Sequence, residues 1–261
     1  MTVIAVASAK GSPGATTLAL ALAASLPGDD GRPVLLIEAD PDGGSLAARF
    51  SLGYEPGLTT LATAARRGLE ESTLLAHSQA LAGRVRVVPG PAGATRARAA
   101  LAACGERLAE RVGALDGCDA VVDVGRATGP SAATAIAAGA DMCLLVLRPQ
   151  VDEVQHAAAA LKVLEAQGAT PGVVCVGDSP YSPIDVAAHL GAVLLGVVAH
   201  DPRGAAALTT GLGGDRALRR SMLWRTAADL AAALAVRDAD QEQERAAVVD
   251  LSRGAALEPQ P

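Results

Sequence analysis

Short, unbroken apolar runs recur along this chain, separated by segments long enough to hold a helix. Residues 3–7, 34–37, 120–122, 142–147, 173–176 and 193–198 are rich in Val, Ile, Leu and Ala and show no apolar–polar alternation, and 85–88, with Arg86 inside it, reads as a further short strand. Such runs suit strands buried on both faces, the situation in a parallel sheet covered by helices. Residues 14–26, 58–67, 70–81, 96–112, 131–138, 151–167, 184–190, 205–210 and 217–236 read as the helices between and after them. This pattern specifies an α/β fold class, a mainly parallel, doubly wound sheet with helices on both faces. Residues 1–237 are expected to form one domain. Residues 238–261 begin acidic and end in Ala, Pro and Gln. They are expected to be a solvated or disordered tail, with a helical extension at its start as the alternative.

Composition narrows the function classes. Half of the 261 residues are hydrophobic, yet the longest uncharged apolar stretches are much shorter than the ~20 residues of a membrane span. The apolar start has no basic segment before it and ends at Lys10, so it does not read as a signal peptide. The four cysteines and four histidines show no metal or redox spacing, which points to a reduced, cytoplasmic protein. Net charge is −6 and aromatics are 2% of the chain, which disfavours nucleic acid and base stacking. Arg203, Arg216, Arg219, Arg220 and Arg225 cluster late in the chain. They read as a solvated helix face in preference to a DNA-binding surface. The end of the chain lacks a basic amphipathic helix, so a surface membrane anchor is not expected.

The first predicted strand runs into Lys10-Gly11-Ser12-Pro13-Gly14-Ala15-Thr16-Thr17, and an Ala/Leu helix comes next. A strand, a glycine-containing turn and a helix opening on hydroxyl residues make a phosphate site. The turn and helix N–H groups converge there, and the helix dipole favours an anion. The usual pattern ends Gly-Lys-Ser/Thr, with the lysine on the β- and γ-phosphates. Here that position is Ala15. Thr16 stands where a hydroxyl would hold Mg²⁺. Glu38 and Asp40 end the second strand, and Asp123 ends the run 120–122, as a Walker B carboxylate would. Taken singly, Asp123 reads equally well as a helix N-cap and Glu38 better as a solvated strand end. Together they converge on the carboxyl edge of the sheet, where open α/β sheets bind ligands. A Rossmann dinucleotide site is less well supported, because Gly11 and Gly14 give only Gly-x-x-Gly.

Residues 10–17 resemble the deviant Walker A motif of the ParA/MinD-type P-loop ATPases. Residues 34–43 resemble that family's Asp-x-Asp-Pro-x-Gly motif, with Glu38 at the first acid and Asp40 at the second, and Val121-Val122-Asp123 resembles its Walker B strand. Residues 173–178 and 194–202 resemble late strands whose following loops enclose adenine. Glu55-Pro56-Gly57-Leu58 and residues 85–91 look most like the CpaE/TadZ branch, which places pilus or secretion machinery. The resemblance implies an ATP/ADP and Mg²⁺ site. Lys10 would reach a partner's nucleotide across a homodimer, and the backbone of Gly11, Ser12, Pro13, Gly14, Ala15 and Thr16 would cradle phosphates. Thr17 would lie near the α-phosphate, Thr16, Asp40 and Asp123 would serve Mg²⁺, and Asp40 would also position water. Asp178, Asp201 and Pro202 would border the base. A protein of a secretion, pilus or segregation machine is the implied partner.

The departures set the functional expectation. Ala15 removes a cation from a reaction that depends on electrostatic stabilisation. Ser12 and Pro13 stiffen the loop, Glu38 adds a methylene, and Gly177-Asp178 stands where the family often has an adenine-reading Asn. Weakened binding and slow or absent hydrolysis are expected, with Lys10 as the lysine left to serve the site. The alternatives are an active ATP-hydrolysing partition switch and a nucleotide-independent scaffold.

Overall fold

The computed structural model describes residues 2–10, 13–27, 31–208 and 216–255. Eight strands form one sheet in the order β3-β4-β2-β5-β1-β6-β7-β8. They are β1 (Val3–Ser8), β2 (Val34–Glu38), β3 (Gln79–Ala82), β4 (Val85–Val88), β5 (Asp119–Arg126), β6 (Met142–Leu147), β7 (Pro171–Val176) and β8 (Leu194–Val198). All pairings are parallel except that of β3 with β4, a hairpin at one edge. β1 lies at the centre between β5 and β6. The doubly wound class expected from the apolar runs is therefore present.

Alternate residues of each central strand feed two cores. Ala5, Ala7, Leu35, Ile37 and Val122 face α3 (Leu58–Ala64), α5 (Ala94–Val112), α6 (Ala132–Ala138), α7 (Val151–Ala166) and α8 (Pro183–Leu190). Ile4, Val6, Leu36, Val121 and Leu144 face α1 (Ala15–Ser25), α2 (Leu46–Arg49), α9 (Pro202–Leu208), α10 (Arg216–Arg220) and α11 (Met222–Ala255). The remaining helix, α4 (Glu71–Ala76), precedes β3. α1 is buried from Leu18 to Ala23 on every side, because it lies between the sheet and α11. A helix that is apolar all round is one with neighbours all round.

Three boundaries differ from the sequence reading. Residues 70–81 read as one helix, but α4 stops at Ala76 and residues 79–82 pair antiparallel with β4. The Gln79 side-chain amide donates to the carbonyls of Gly53 (2.8 Å) and Pro56 (2.6 Å), a tertiary anchor that propensity does not reveal. β5 continues past Asp123 to Arg126 through a bulge: Val6 pairs with Asp123 but Ala7 with Gly125. The last expected helix is two, α10 and α11, with Ser221 between them. α11 runs on through the acidic segment to Ala255, and Asp238 is buried against the Thr2 hydroxyl (2.7 Å). Residues 209–215 and 256–261, which include the ends of the expected helix 205–210 and of the tail, lie outside the described residues. All four cysteines are free and buried, and burial pushes the Cys143 thiol up to about 12.

Helix α5 meets α6 through Gly105, where an added Cβ would overlap the Cβ of Ala132. Alanine would gain about 1 kcal/mol of helix propensity at this position. Ala132 has no far end to swing away, so the overlap must move a helix, at a cost of ~1–3 kcal/mol. Gly105→Ala is expected to lower the urea midpoint without changing the denaturant slope; a raised midpoint would mean that the helices separate freely.

Candidate phosphate-binding cleft

A cleft of about 700 Å³ opens at the carboxyl ends of β1, β2 and β5. Its wall begins with Pro13, Gly14, Ala15, Thr16 and Thr17. Gly14 caps α1 in the left-handed region (φ 104°), and no side chain caps the helix. The first N–H groups of a helix have no partner within it. Here they open onto the cleft without the side-chain acceptor that usually satisfies one of them.

Asp123 sits beneath this turn, 1% exposed. Its carboxylate accepts from the Gly125 N–H (3.1 Å) and from the Thr16 hydroxyl. Burial, with smaller repulsion from Asp40 and Glu38, pushes its pKa up to about 6. β5 bulges immediately after Asp123 and brings Gly125 against Asp40, at φ 67°, where any Cβ would run into the Asp40 carboxyl. Asp40 lines the cleft and accepts from the Asp42 N–H (2.7 Å). Its carboxyl is raised above the usual range, chiefly by burial.

Glu38 is neither a solvated strand end nor a cleft residue. It is 2% exposed. One carboxylate oxygen accepts from the N–H groups of Ser45 (2.6 Å) and Leu46 (2.9 Å) at the start of α2, and the other from Gly90 (3.0 Å). Burial still raises its pKa, against the lowering effect of these three donors. Gly44 is required beside it, since a Cβ there would lie 2.5 Å from Glu38 Oε2.

The other expected site residues are dispersed. Lys10 does not line the cleft; its ammonium pairs with Asp152 at 2.6 Å, both groups about half exposed. Asp201 and Pro202 line the cleft. The Asp201 carboxylate accepts from Gly204 (2.8 Å) and Met222 (3.0 Å) N–H groups, which hold its pKa down. Asp178 lies in an adjoining groove of about 590 Å³ with Gln150, Ser179, His200 and Thr226. Gly11 and Ser12 lie outside the described residues. Among the late arginines, Arg219 packs over the Trp224 ring at 5.8 Å and Arg203, Arg220 and Arg225 are exposed.

Sequence reasoning missed the cleft's own cations. Arg49, Arg126 and Arg148 all line it, from the ends of α2, β5 and β6. Arg126 pairs with Asp42, which also holds Arg98 at 2.8 Å. These arginines stand 34 to 133 positions from Ala15, so only the topology brings them to it.

No protein-family model matches the chain, and no curated protein matches it in sequence. Solved structures do resemble it. A ParA family ATPase from Chlorobium tepidum superposes with a TM-score of 0.73 at 19% identity, covering 88% of this chain and 98% of that one. The cell division ATPase MinD of Pyrococcus furiosus gives 0.68 at 21%, covering 89% and 98%. The septum site-determining protein MinD of Pyrococcus horikoshii, complexed with Mg-ADP, gives 0.66 at 19%, covering 88% and 94%. The chain has the P-loop fold of the ParA and MinD ATPases. No described helix is long and apolar enough to cross a membrane.

The buried Asp123 carboxylate carries a stability cost with a definite pH dependence. The unfolded group ionises near 3.8 and the folded one near 6. The cost of folding it is thus absent below pH 4, grows between pH 4 and 6, and is complete above, at of order 3 kcal/mol. Asp123→Asn keeps an acceptor for Thr16 and Gly125. It is expected to raise the melting temperature at pH 8 by about 5 °C or more, with the gain vanishing towards pH 4. A gain that grows on acidification would refute the assignment.

Proposed function

We propose that the cleft binds a magnesium-complexed adenine nucleotide, ATP or ADP, and that the chain works as a ParA/MinD-like nucleotide-responsive protein with slow hydrolysis. The observation that carries this reading is the Thr16–Asp123 hydrogen bond beneath the uncapped N-terminus of α1. The donor set fits the group: main-chain N–H groups for phosphate oxygens, a hydroxyl for the ion, and a buried acid to orient that hydroxyl and hold a coordinated water. Among the described residues no cluster of His, Cys, Asp and Glu could hold a metal alone. The ion would rest on Thr16, water and the phosphates, with Asp123 and Asp40 behind. Bound Mg²⁺ supplies charge neutralisation at the phosphates. Thr16 orients towards it, Asp123 holds Thr16, and Asp40 offers a half-buried acceptor for an attacking water. The groove with Asp178 and His200 is the space left for the base.

Slow turnover is the consequence of Ala15, which places a methyl where the reaction is usually met by an ammonium group. The biological role fitting this chemistry is to position or regulate a pilus, secretion or segregation apparatus, as a CpaE-like dimer meeting across the nucleotide face. A nucleotide-independent scaffold is the second reading. It is favoured by the pairing of Lys10 with Asp152, which engages within the chain the lysine that would otherwise reach across to a partner's nucleotide.

Calorimetric titration of the purified protein with ATP, with and without Mg²⁺, tests the proposal. Magnesium-dependent binding is expected, lost at least tenfold in Thr16→Ala, with phosphate release far slower than in a lysine-bearing relative. Ala15→Lys is expected to raise that rate. Absence of binding at millimolar ATP would leave the scaffold reading.

A further inference from the structure

We propose that Arg49 supplies the positive charge that Ala15 removes, acting on the terminal phosphate from the opposite wall of the cleft. This rests on the cleft being a nucleotide site. Four carboxylates, Asp40, Asp42, Asp123 and Asp201, line it, and α1 contributes only partial positive charge. A triphosphate entering such a site needs full cations. Lys10 is engaged outside, with Asp152. Arg126 is engaged at the mouth, with Asp42. Arg148 is half-buried after β6 and already has a partner of its own. Arg49 is exposed, lines the cleft, and makes no ion pair with a described residue. Its charge is felt by the buried Glu38 carboxyl, as a small lowering effect set against the larger raising effect of burial.

The fold shows why Arg49 is where it is. α2 is four residues long and would not persist alone. Glu38 holds it by accepting from the Ser45 and Leu46 N–H groups, and Leu46 is fully buried. An anchored first turn sets the last residue of so short a helix, which is Arg49. The buried acid therefore acts as a bracket that fixes a cation at the cleft. Topology supplies the direction. The groove that would take a base opens by β7 and β8, on one side of β1. Arg49 comes after β2, on the other side, where the phosphate chain would end. A guanidinium suits that position, because it stays charged and can contact two phosphate oxygens at once.

Titration calorimetry with Mg-ATP and Mg-ADP on the wild type, Arg49→Ala, Arg49→Lys and the double variant Arg49→Ala with Ala15→Lys tests the proposal. Arg49→Ala is expected to weaken Mg-ATP tenfold or more and Mg-ADP less than threefold. Arg49→Lys should retain most of the affinity, and the double variant should regain it, because the charge is returned from the other wall. Far-ultraviolet dichroism and melting should match the wild type, since Arg49 is exposed. If the wild type binds Mg-ATP and Arg49→Ala binds it equally well, Arg49 has no such role and the nucleotide reading stands. Equal losses for ATP and ADP would also overturn it, as would a double variant that stays weak. If the wild type binds neither nucleotide, both proposals fall together.

Discussion

β1 is paired in parallel on both sides, with β5 and with β6, and the site depends on that pairing. Parallel neighbours end at the same edge of a sheet, so the turn after β1, the acid of β5 and the arginine after β6 meet there. A single irregularity adjusts the meeting. The bulge in the β1–β5 ladder leaves one residue of β5 unpaired and re-aims the rest of that strand. Asp123 stays under Thr16, and Gly125 makes room for Asp40.

The electrostatics of this edge oppose stability. Asp123 is buried with a raised pKa, and Asp40 and Glu38 are raised by burial too. Three carboxyl groups near one another and out of water are a poor arrangement for an empty protein. The fold tolerates it by giving each a specific donor: the Thr16 hydroxyl and Gly125 N–H for Asp123, the Asp42 N–H for Asp40, and three N–H groups for Glu38. Titratable groups perturbed in this way, gathered in a cleft, are a mark of a functional site. Glu38 shows the limit of that rule, because its perturbation belongs to a bracket that holds a loop.

Where strands are Val- and Leu-rich, as at residues 34–37 and 142–147, their place is legible without coordinates. Gln79-Ala80-Leu81-Ala82 is not, because its residues favour helix and only pairing with β4 makes it a strand. α2 is invisible for a similar reason: its first turn is held by a carboxylate seven residues upstream. Among the candidate site residues, Thr16 and Asp123 can be found because one opens a helix after a glycine-containing turn and the other closes an apolar run, each a recognisable local pattern. Lys10 is identifiable but its direction is not. Nothing local shows that its charge would be met by Asp152, which is far away in sequence and adjacent only through the β1–β6 pairing.

The linear chain determined the class of fold, the glycine-containing turn that leads into a helix opening on hydroxyl residues, and the alanine at position 15. These are properties of residues close together in sequence, set by local hydrogen bonding and by the period of apolar side chains. The tertiary structure decided which charges occupy the cleft. Lys10 leaves it, Glu38 is taken into the core, and Arg49, Arg126 and Arg148 arrive from three separate elements. Charges act through space over distances that sequence separation does not measure. The ionic character of a site assembled at strand ends is therefore written only when the strands are placed side by side.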